Sequence, residues 1–364
     1  MNRREFLAGA TGLISGGAAI SADTKNVKMP PRRSILNFNE NMDYRRLGKT
    51  GLWVSAVCMG GHWKRVGKNL NGSFDGCGYC KNDFTNLGNS EFVKNRHDVV
   101  SRAIEVGINY IDACTAEEVL VYSKVLKGRR NKVYLGYSWS QRETRNKEYR
   151  SVNKLLEGFD AGLKEAGLDY VDLWRVTMPQ DGLPDLAELT RVEEVTFAAL
   201  AKAKKQGKAR FTGVSTHHRP WLKSIIEEYP NDLQVCCTPY TAKTKELPND
   251  SVFAAMRKHD VGVFGIKPFA DNSLFQGDSS PNSPHKQEDD QRARLALRYV
   301  LTNPAISAPI PGLVSIDQVN NAAAAIAERR KLDQKESALL EKATENMWAR
   351  LRPGYEWLRN WELA

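Results

Sequence analysis

The chain has 364 residues, 41% of them apolar and 26% charged, with a formal net charge of +10. That is ordinary globular composition, and the length suits one large domain or two small ones. The positive charge lies in short scattered patches without a run of five like charges, which argues against a nucleic-acid-binding surface.

The first 22 residues read as an export signal. Arg3 and Arg4 precede Glu5, Phe6 and Leu7, and a weakly apolar Gly/Ala-rich stretch ends near the small residues Ser21 and Ala22. NRREFL at positions 2–7 resembles a twin-arginine signal, which implies the twin-arginine export machinery as a partner and a periplasmic destination. The apolar part is too short and glycine-rich for a transmembrane span. Residues 23–42, with Pro30 and Pro31, read as a linker.

A hairpin follows, with Lys49-Thr50-Gly51 near its turn, and then a buried strand at about 54–59. Seven more short apolar runs read as strands: Asn109–Ala113, Lys132–Ser138, Tyr170–Val176, Ala209–Ser215, Leu233–Cys237, Val261–Lys267 and Ser307–Ile310. Helical periodicity fills 96–106, 117–127, 147–166, 191–206, 220–228, 248–259, 290–302 and 315–328. In the third of these, Leu155, Leu156, Phe159 and Leu163 form one face, and Gly167 ends the helix. Eight near-continuous apolar strands, each followed by a helix, predict an eight-stranded parallel (β/α)8 TIM barrel with an N-terminal β-hairpin, spanning residues 43–346.

Two insertions, 64–95 after the first strand and 271–289 after the seventh, leave the C-terminal ends of strands, where barrels of this kind carry their sites. Residues 347–364 contain Trp348, Trp357 and Trp361 and are expected to fold back onto the barrel. Among six cysteines, Cys77 and Cys80 form a single C-x-x-C in a Gly/Asn-rich loop. A zinc or iron–sulfur site needs about four ligands, and no second such motif is present, so no metal site is expected.

Several stretches together resemble the aldo-keto reductase family. They are YRRLGKTGLWVSAVCMGG, GINYIDACTAEEV, GKARFTGVSTH, LQVCCTP and ISAPIPGLVSIDQV, in that order, across about 43–330. The resemblance implies a nicotinamide cofactor, NADP or NAD, and a small carbonyl or sugar substrate. It also implies a tetrad of tyrosine, lysine, aspartate and histidine. Only the aspartate is matched, by Asp112. Glu117 stands at the tyrosine position, Ser138 at the lysine and Thr177 at the histidine. Tyr122 and Tyr137 are near, but Tyr137 should point outward if Ser138 points inward.

A barrel-lining Asp112 without its lysine needs another cation. Arg175, two residues before Thr177, should face the same interior, with Gly136 leaving room for its guanidinium. The expected arrangement is therefore an Asp112–Arg175 pair acting as an electrostatic clamp, with Glu117 as acid or base. His62, His217 and His218 read as rim residues. For the cofactor, the resemblance implies Ser215, Thr216 and Gln234 at the nicotinamide. Lys267 would lie at the end of the seventh strand, and Gly312, Ser315, Gln318 and Asn321 at the adenosine end. Val314 stands where many members have a base, and Ile266 where a stacking tyrosine is common. Two other functions stay open: a catalytically inactive ligand-binding barrel, and a non-redox sugar lyase or isomerase.

Overall fold

The structure is a computed structural model that describes residues 28–63, 65–70, 87–179, 185–328 and 331–361. The export signal and the Cys77/Cys80 motif lie outside these residues. A two-stranded antiparallel hairpin, β1 (Tyr44–Arg46) and β2 (Trp53–Ser55), precedes seven parallel strands in sequential order. These are β3 (Tyr110–Ala113), β4 (Tyr134–Tyr137), β5 (Val171–Thr177), β6 (Ala209–Ser215), β7 (Val235–Pro239), β8 (Gly262–Ile266) and β9 (Ala308–Ile310).

The eighth stave is not a full strand. The run expected at 54–59 divides: 53–55 pair with the hairpin, and 58–60 close the ring by single bridges, Met59 to Ile111 and Gly60 to Gly312. Backbone bonds from Cys58 N to Pro309 O (3.0 Å) and from Met59 N to Tyr110 O (3.1 Å) complete the seam. Gly312 is required there: a Cβ would come within 2.6 Å of the Gly61 carbonyl oxygen.

The helices are α1 (Ser90–Glu105), α2 (Ala116–Val125), α3 (Val152–Ala166), α4 (Leu186–Lys205), α5 (Arg219–Glu228), α6 (Val252–Lys258), α7 (Lys286–Val300), α8 (Ile316–Ala327) and α9 (Gln334–Thr344). Side-chain caps set most of their starts. Asn89, Thr115, Ser151, Asp185 and Ser315 each accept from a first-turn N–H. Gly167 ends α3 at φ 63°, as its sequence predicts. α4 starts five residues before its expected position because Asp185 caps it. α9 was not foreseen at all, although Asp333 and Glu336 form a capping box.

Strand alternation sorts the side chains. On β5, Leu173, Arg175 and Thr177 face the interior, while Trp174 packs outward, stacked on Phe159 of α3 at 4.0 Å. The lower interior holds Tyr110, Leu173, Phe211, Val235, Phe264 and Ala308. Leu47, Leu52 and Val54 of the hairpin fill its N-terminal end. Residues 32–42, which composition reads as linker, pack beneath the barrel: Ile35 and Met42 join the main core, and Asn37 donates to the Ile104 carbonyl at 2.8 Å. The tail folds back, with Met347 and Leu358 buried against Leu274, Leu295 and Leu340.

Candidate active site

A deep cleft opens at the C-terminal ends of the strands. It encloses about 1800 Å³ of space when the solvent at its open mouth is included. Its floor includes Asp112, Cys114, Arg175 and Thr177, and it runs without interruption to the N-terminus of α8, at Ser315 and Gln318.

At the floor, Arg175 Nη2 donates to Asp112 Oδ2 at 2.7 Å and Nε to Oδ1 at 3.3 Å. Both residues are at most 4% exposed. Burial is the largest single effect on the guanidinium and opposes its charge, but the Asp112 carboxylate and its hydrogen bond, with the neighbouring thiols, together hold Arg175 well above its ordinary range. Tyr110 donates a third bond, to Oδ1 at 3.1 Å. Gly136 clears the space, but for different groups than expected. Its missing Cβ would lie 2.0 Å from the Tyr110 hydroxyl and 2.7 Å from Asp112 Oδ1, so the phenol and carboxylate lean across β4, not the guanidinium.

The residues at the usual lysine and histidine positions are taken up elsewhere. Ser138 Oγ lies 2.8 Å from Thr177 Oγ1 and donates to Glu143 Oε2 at 2.6 Å. Glu143, unforeseen in the sequence, is buried and also receives Thr177 N at 2.7 Å and Trp139 N at 3.1 Å. Burial pushes its carboxyl above the ordinary range, against those donors.

Glu117 does not reach the cleft. Thr115 caps α2 so that residue 117 turns outward, where it accepts from Gln141 Nε2 at 3.3 Å. The next residue, about 100° further round the helix, is the one that points inward. Glu118 is 4% exposed and lines the cleft. Its Oε1 accepts the backbone N–H of His62 at 2.6 Å and contacts His62 Nδ1, and its Oε2 accepts Cys114 N at 2.7 Å. Burial alone would raise Glu118, but His62 and the two backbone donors hold it below the ordinary value. Gly61 makes this possible, since a Cβ there would lie 1.9 Å from the Glu118 carboxyl carbon. His62 itself adopts φ 57°, which is uncommon for a non-glycine residue. It lines the cleft, and its Nδ1 faces the buried Glu118 carboxylate.

Neither nearby tyrosine supplies the missing phenol. Tyr122 donates to the Gly60 carbonyl at 2.6 Å, and Tyr137 packs outside the ring against Phe159. His217 lines the cleft with Trp357 stacked on it at 3.8 Å, whereas His218 caps α5. Burial, then the Lys267 charge, holds His217 well below its ordinary range. Lys267, also in the left-handed region at φ 57°, places its ammonium 5.7 Å and 5.6 Å from the ring centres of Tyr355 and Trp357. Burial lowers its affinity for the proton.

The expected cofactor positions divide. Ser215, Lys267, Gly312, Ser315, Gln318 and Asn321 line the cleft. Thr216 does not, because alternation turns it behind the wall, where it is fully buried and donates to the Pro179 carbonyl at 3.2 Å. Gln234 lies at the opposite end of the barrel. It directly precedes β7, at the strand's N-terminal end, and accepts from Lys204 Nζ at 2.9 Å. Gln318 and Asn321 are engaged within the wall, by Val314 N at 2.9 Å and Arg294 Nη1 at 2.7 Å.

The two insertions meet over the cleft. Arg65 donates to the Gly277 carbonyl at 2.7 Å and Ser279 Oγ at 3.1 Å, and Asn69 to the Ser279 carbonyl at 3.1 Å. Beyond them, Lys286 stands between Asp290 (2.8 Å) and Asp317 (3.6 Å) beside the start of α8. Among the described residues no group of His, Cys, Asp or Glu is placed to hold a metal ion, and no helix is long and apolar enough to cross a membrane.

A closed parallel barrel with charged groups at its floor and a long cleft at the C-terminal ends of its strands defines the (β/α)8 class. The profile described as "Aldo/keto reductase family" matches residues 88–345, and the chain belongs to that family. It is 25% identical over 323 residues to L-galactose dehydrogenase of Arabidopsis thaliana, covering 82% of this chain and 93% of that one. It is 28% identical over 241 residues to human aldo-keto reductase family 1 member C3, covering 58% and 68%. The holo form of aldo-keto reductase AKR11C1 from Bacillus halodurans shares the fold at TM-score 0.58 and 22% identity, covering 86% of this chain and 99% of that one.

Proposed function

We propose that this protein is a nicotinamide-dependent oxidoreductase acting on a small carbonyl compound or sugar, with acid–base groups that differ from those usual in its family. The observation that carries the reading is the continuity of the cleft, from the Asp112–Arg175 pair at its floor to the N-terminus of α8. An elongated ligand with a reactive group at one end and a phosphate-linked portion at the other suits such a shape. The name of the Arabidopsis relative, L-galactose dehydrogenase, supports a sugar as substrate.

The residues present fit such a cofactor. Arg65 and Lys286 supply positive charge along the middle and far end, and the first-turn amides of α8 suit a phosphate. Asp290 and Asp317 beside that helix start suit a ribose hydroxyl and oppose a further phosphate. NAD is therefore the better match than NADP. When bound, the nicotinamide exchanges hydride with the substrate carbon. The Asp112–Arg175 pair would fix a positive field at the cleft floor, where negative charge develops on the substrate oxygen. The guanidinium stays protonated, so it orients and polarises and does not donate a proton.

The same reading includes export in the folded state by the twin-arginine route to the periplasm, supported by NRREFL at 2–7. Fluorescence titration of the mature protein with NADH, followed by turnover on a panel of aldehydes and sugars, tests the enzymatic part. No binding at millimolar cofactor refutes it. Binding without turnover would favour a ligand-binding barrel, and turnover without added nucleotide a non-redox enzyme. Replacing Arg3 and Arg4 with lysine and fractionating the cells tests export.

A further inference from the structure

The cleft contains a histidine–carboxylate dyad that the family's tetrad does not include. We propose that His62 is the group that donates a proton to the substrate oxygen, or takes one from it, and that Glu118 is its positioning residue. This rests on the oxidoreductase reading above.

Three independent features support it. First, the Glu118 carboxylate is fixed before the imidazole is considered, because the backbone N–H groups of His62 (2.6 Å) and Cys114 (2.7 Å) each take one oxygen. A carboxylate held this way is an acceptor, so the Nδ1 that meets it must carry hydrogen. The exchangeable proton is then on Nε2. Second, the local chain is bent to make the contact. Gly61 leaves room only because it lacks a Cβ, and His62 is held at φ 57°. A solvated rim histidine needs neither. Third, the dyad lies in the same cleft as Asp112 and Arg175, and among the described residues no tyrosine lines that cleft: Tyr122 donates to the Gly60 carbonyl, Tyr137 packs outside the ring, and Tyr110 donates to Asp112.

In the reducing direction the step balances as follows. Hydride from the reduced nicotinamide adds to the carbonyl carbon, and the C=O π pair moves onto oxygen. That oxygen takes the proton from Nε2 of the imidazolium, leaving neutral His62 with Nδ1–H still on Glu118. The charged and titratable groups around it are Glu118 on α2, Asp112 on β3 and Cys114 just after it, Arg145 in the loop after β4, Arg175 on β5, His217 after β6, and Lys267 and Asp271 after β8. Arg65 lies on its own loop. Of these, Lys267 is the rival donor.

Two measurements decide the matter. The chain has six histidines, and ¹⁵N-histidine spectra of the mature protein without cofactor, assigned by loss of one signal in His62→Asn, report the tautomer. Asparagine is chosen because it tolerates a positive φ. The expected result is an Nδ1–H imidazole whose tautomer preference changes in Glu118→Ala; an Nε2–H tautomer, or a tautomer preference indifferent to Glu118→Ala, overturns the proposal. In turnover, His62→Asn is expected to lose ~10²–10⁴-fold in kcat and one limb of the pH profile, with NADH affinity unchanged. If His62→Asn keeps rate and limb while Lys267→Met loses them, Lys267 is the donor and the inference fails alone. If the wild-type chain binds no nicotinamide, the oxidoreductase reading fails and the donor role with it.

Discussion

Replacing Arg175 with methionine isolates the ion pair on which the cleft floor is built. The change keeps most of the side-chain volume and removes two charge-assisted hydrogen bonds to Asp112, at 2.7 Å and 3.3 Å. It leaves a carboxylate 4% exposed with Tyr110 as its remaining donor. Breaking a buried pair from one side costs about 3–5 kcal/mol, because the surviving charge keeps its desolvation penalty. At ~2–4 °C per kcal/mol, the scale for domains of about 150–250 residues, the melting temperature falls by roughly 6–20 °C. Thr177→Ala, which removes one hydroxyl contact at 2.8 Å to Ser138, should cost only ~1 kcal/mol. The double variant Arg175→Met/Asp112→Asn should recover most of the loss, since a neutral amide can keep the Tyr110 bond. Urea unfolding followed by tryptophan fluorescence measures all four proteins. The reasoning is refuted if Arg175→Met costs no more than Thr177→Ala, or if the double variant is no more stable than the single one.

Three further outcomes are expected. NADH should bind at least tenfold more tightly than NADPH, about 1.4 kcal/mol, and calorimetric affinities that reverse the order would contradict the role given to Asp290 and Asp317. Gly61→Ala should displace Glu118 and destabilise the fold by about 1–3 kcal/mol; an unchanged Cm with an unchanged His62 spectrum would show that the carboxylate moves freely. His217 is held well below 6.5 in the folded protein, so below pH 6.5 the unfolded chain takes a proton that the folded chain refuses. Stability should therefore fall as pH drops from 6.5 towards 5, by up to ~1.4 kcal/mol per unit for this one group. His217→Asn should remove that component of the slope, and equal slopes in the two proteins would count against it.

The sequence carried the barrel well, because buried parallel strands are apolar runs with helices between them, and both signals are local. It also carried the Asp112–Arg175 pair, because period-two alternation on β5 places Arg175 on the face of Thr177 whatever the loops do. The resemblance alone places Gln234 at the nicotinamide, whereas the expected strand, Leu233–Cys237, already sets it at the N-terminal end, opposite the cleft. The sequence was weaker where a boundary decided the outcome. Glu117 and Glu118 are adjacent, and only the helix start set by Thr115 decides which one faces inward. The His62–Glu118 contact was hidden for a different reason: the partners are 56 residues apart and the contact needs a left-handed backbone, which no propensity signals. A doublet of glycines before a histidine, Gly60-Gly61-His62, was the one available hint. Glu143 sits beyond the end of its strand, outside any periodic pattern.

Leu47, Leu52 and Val54 stopper one end of the ring, so whatever occupies the interior has a single doorway. Arrival and departure alike are confined to the mouth at the C-terminal ends of the strands, a restriction imposed by a hairpin on the far side of the molecule from the cleft.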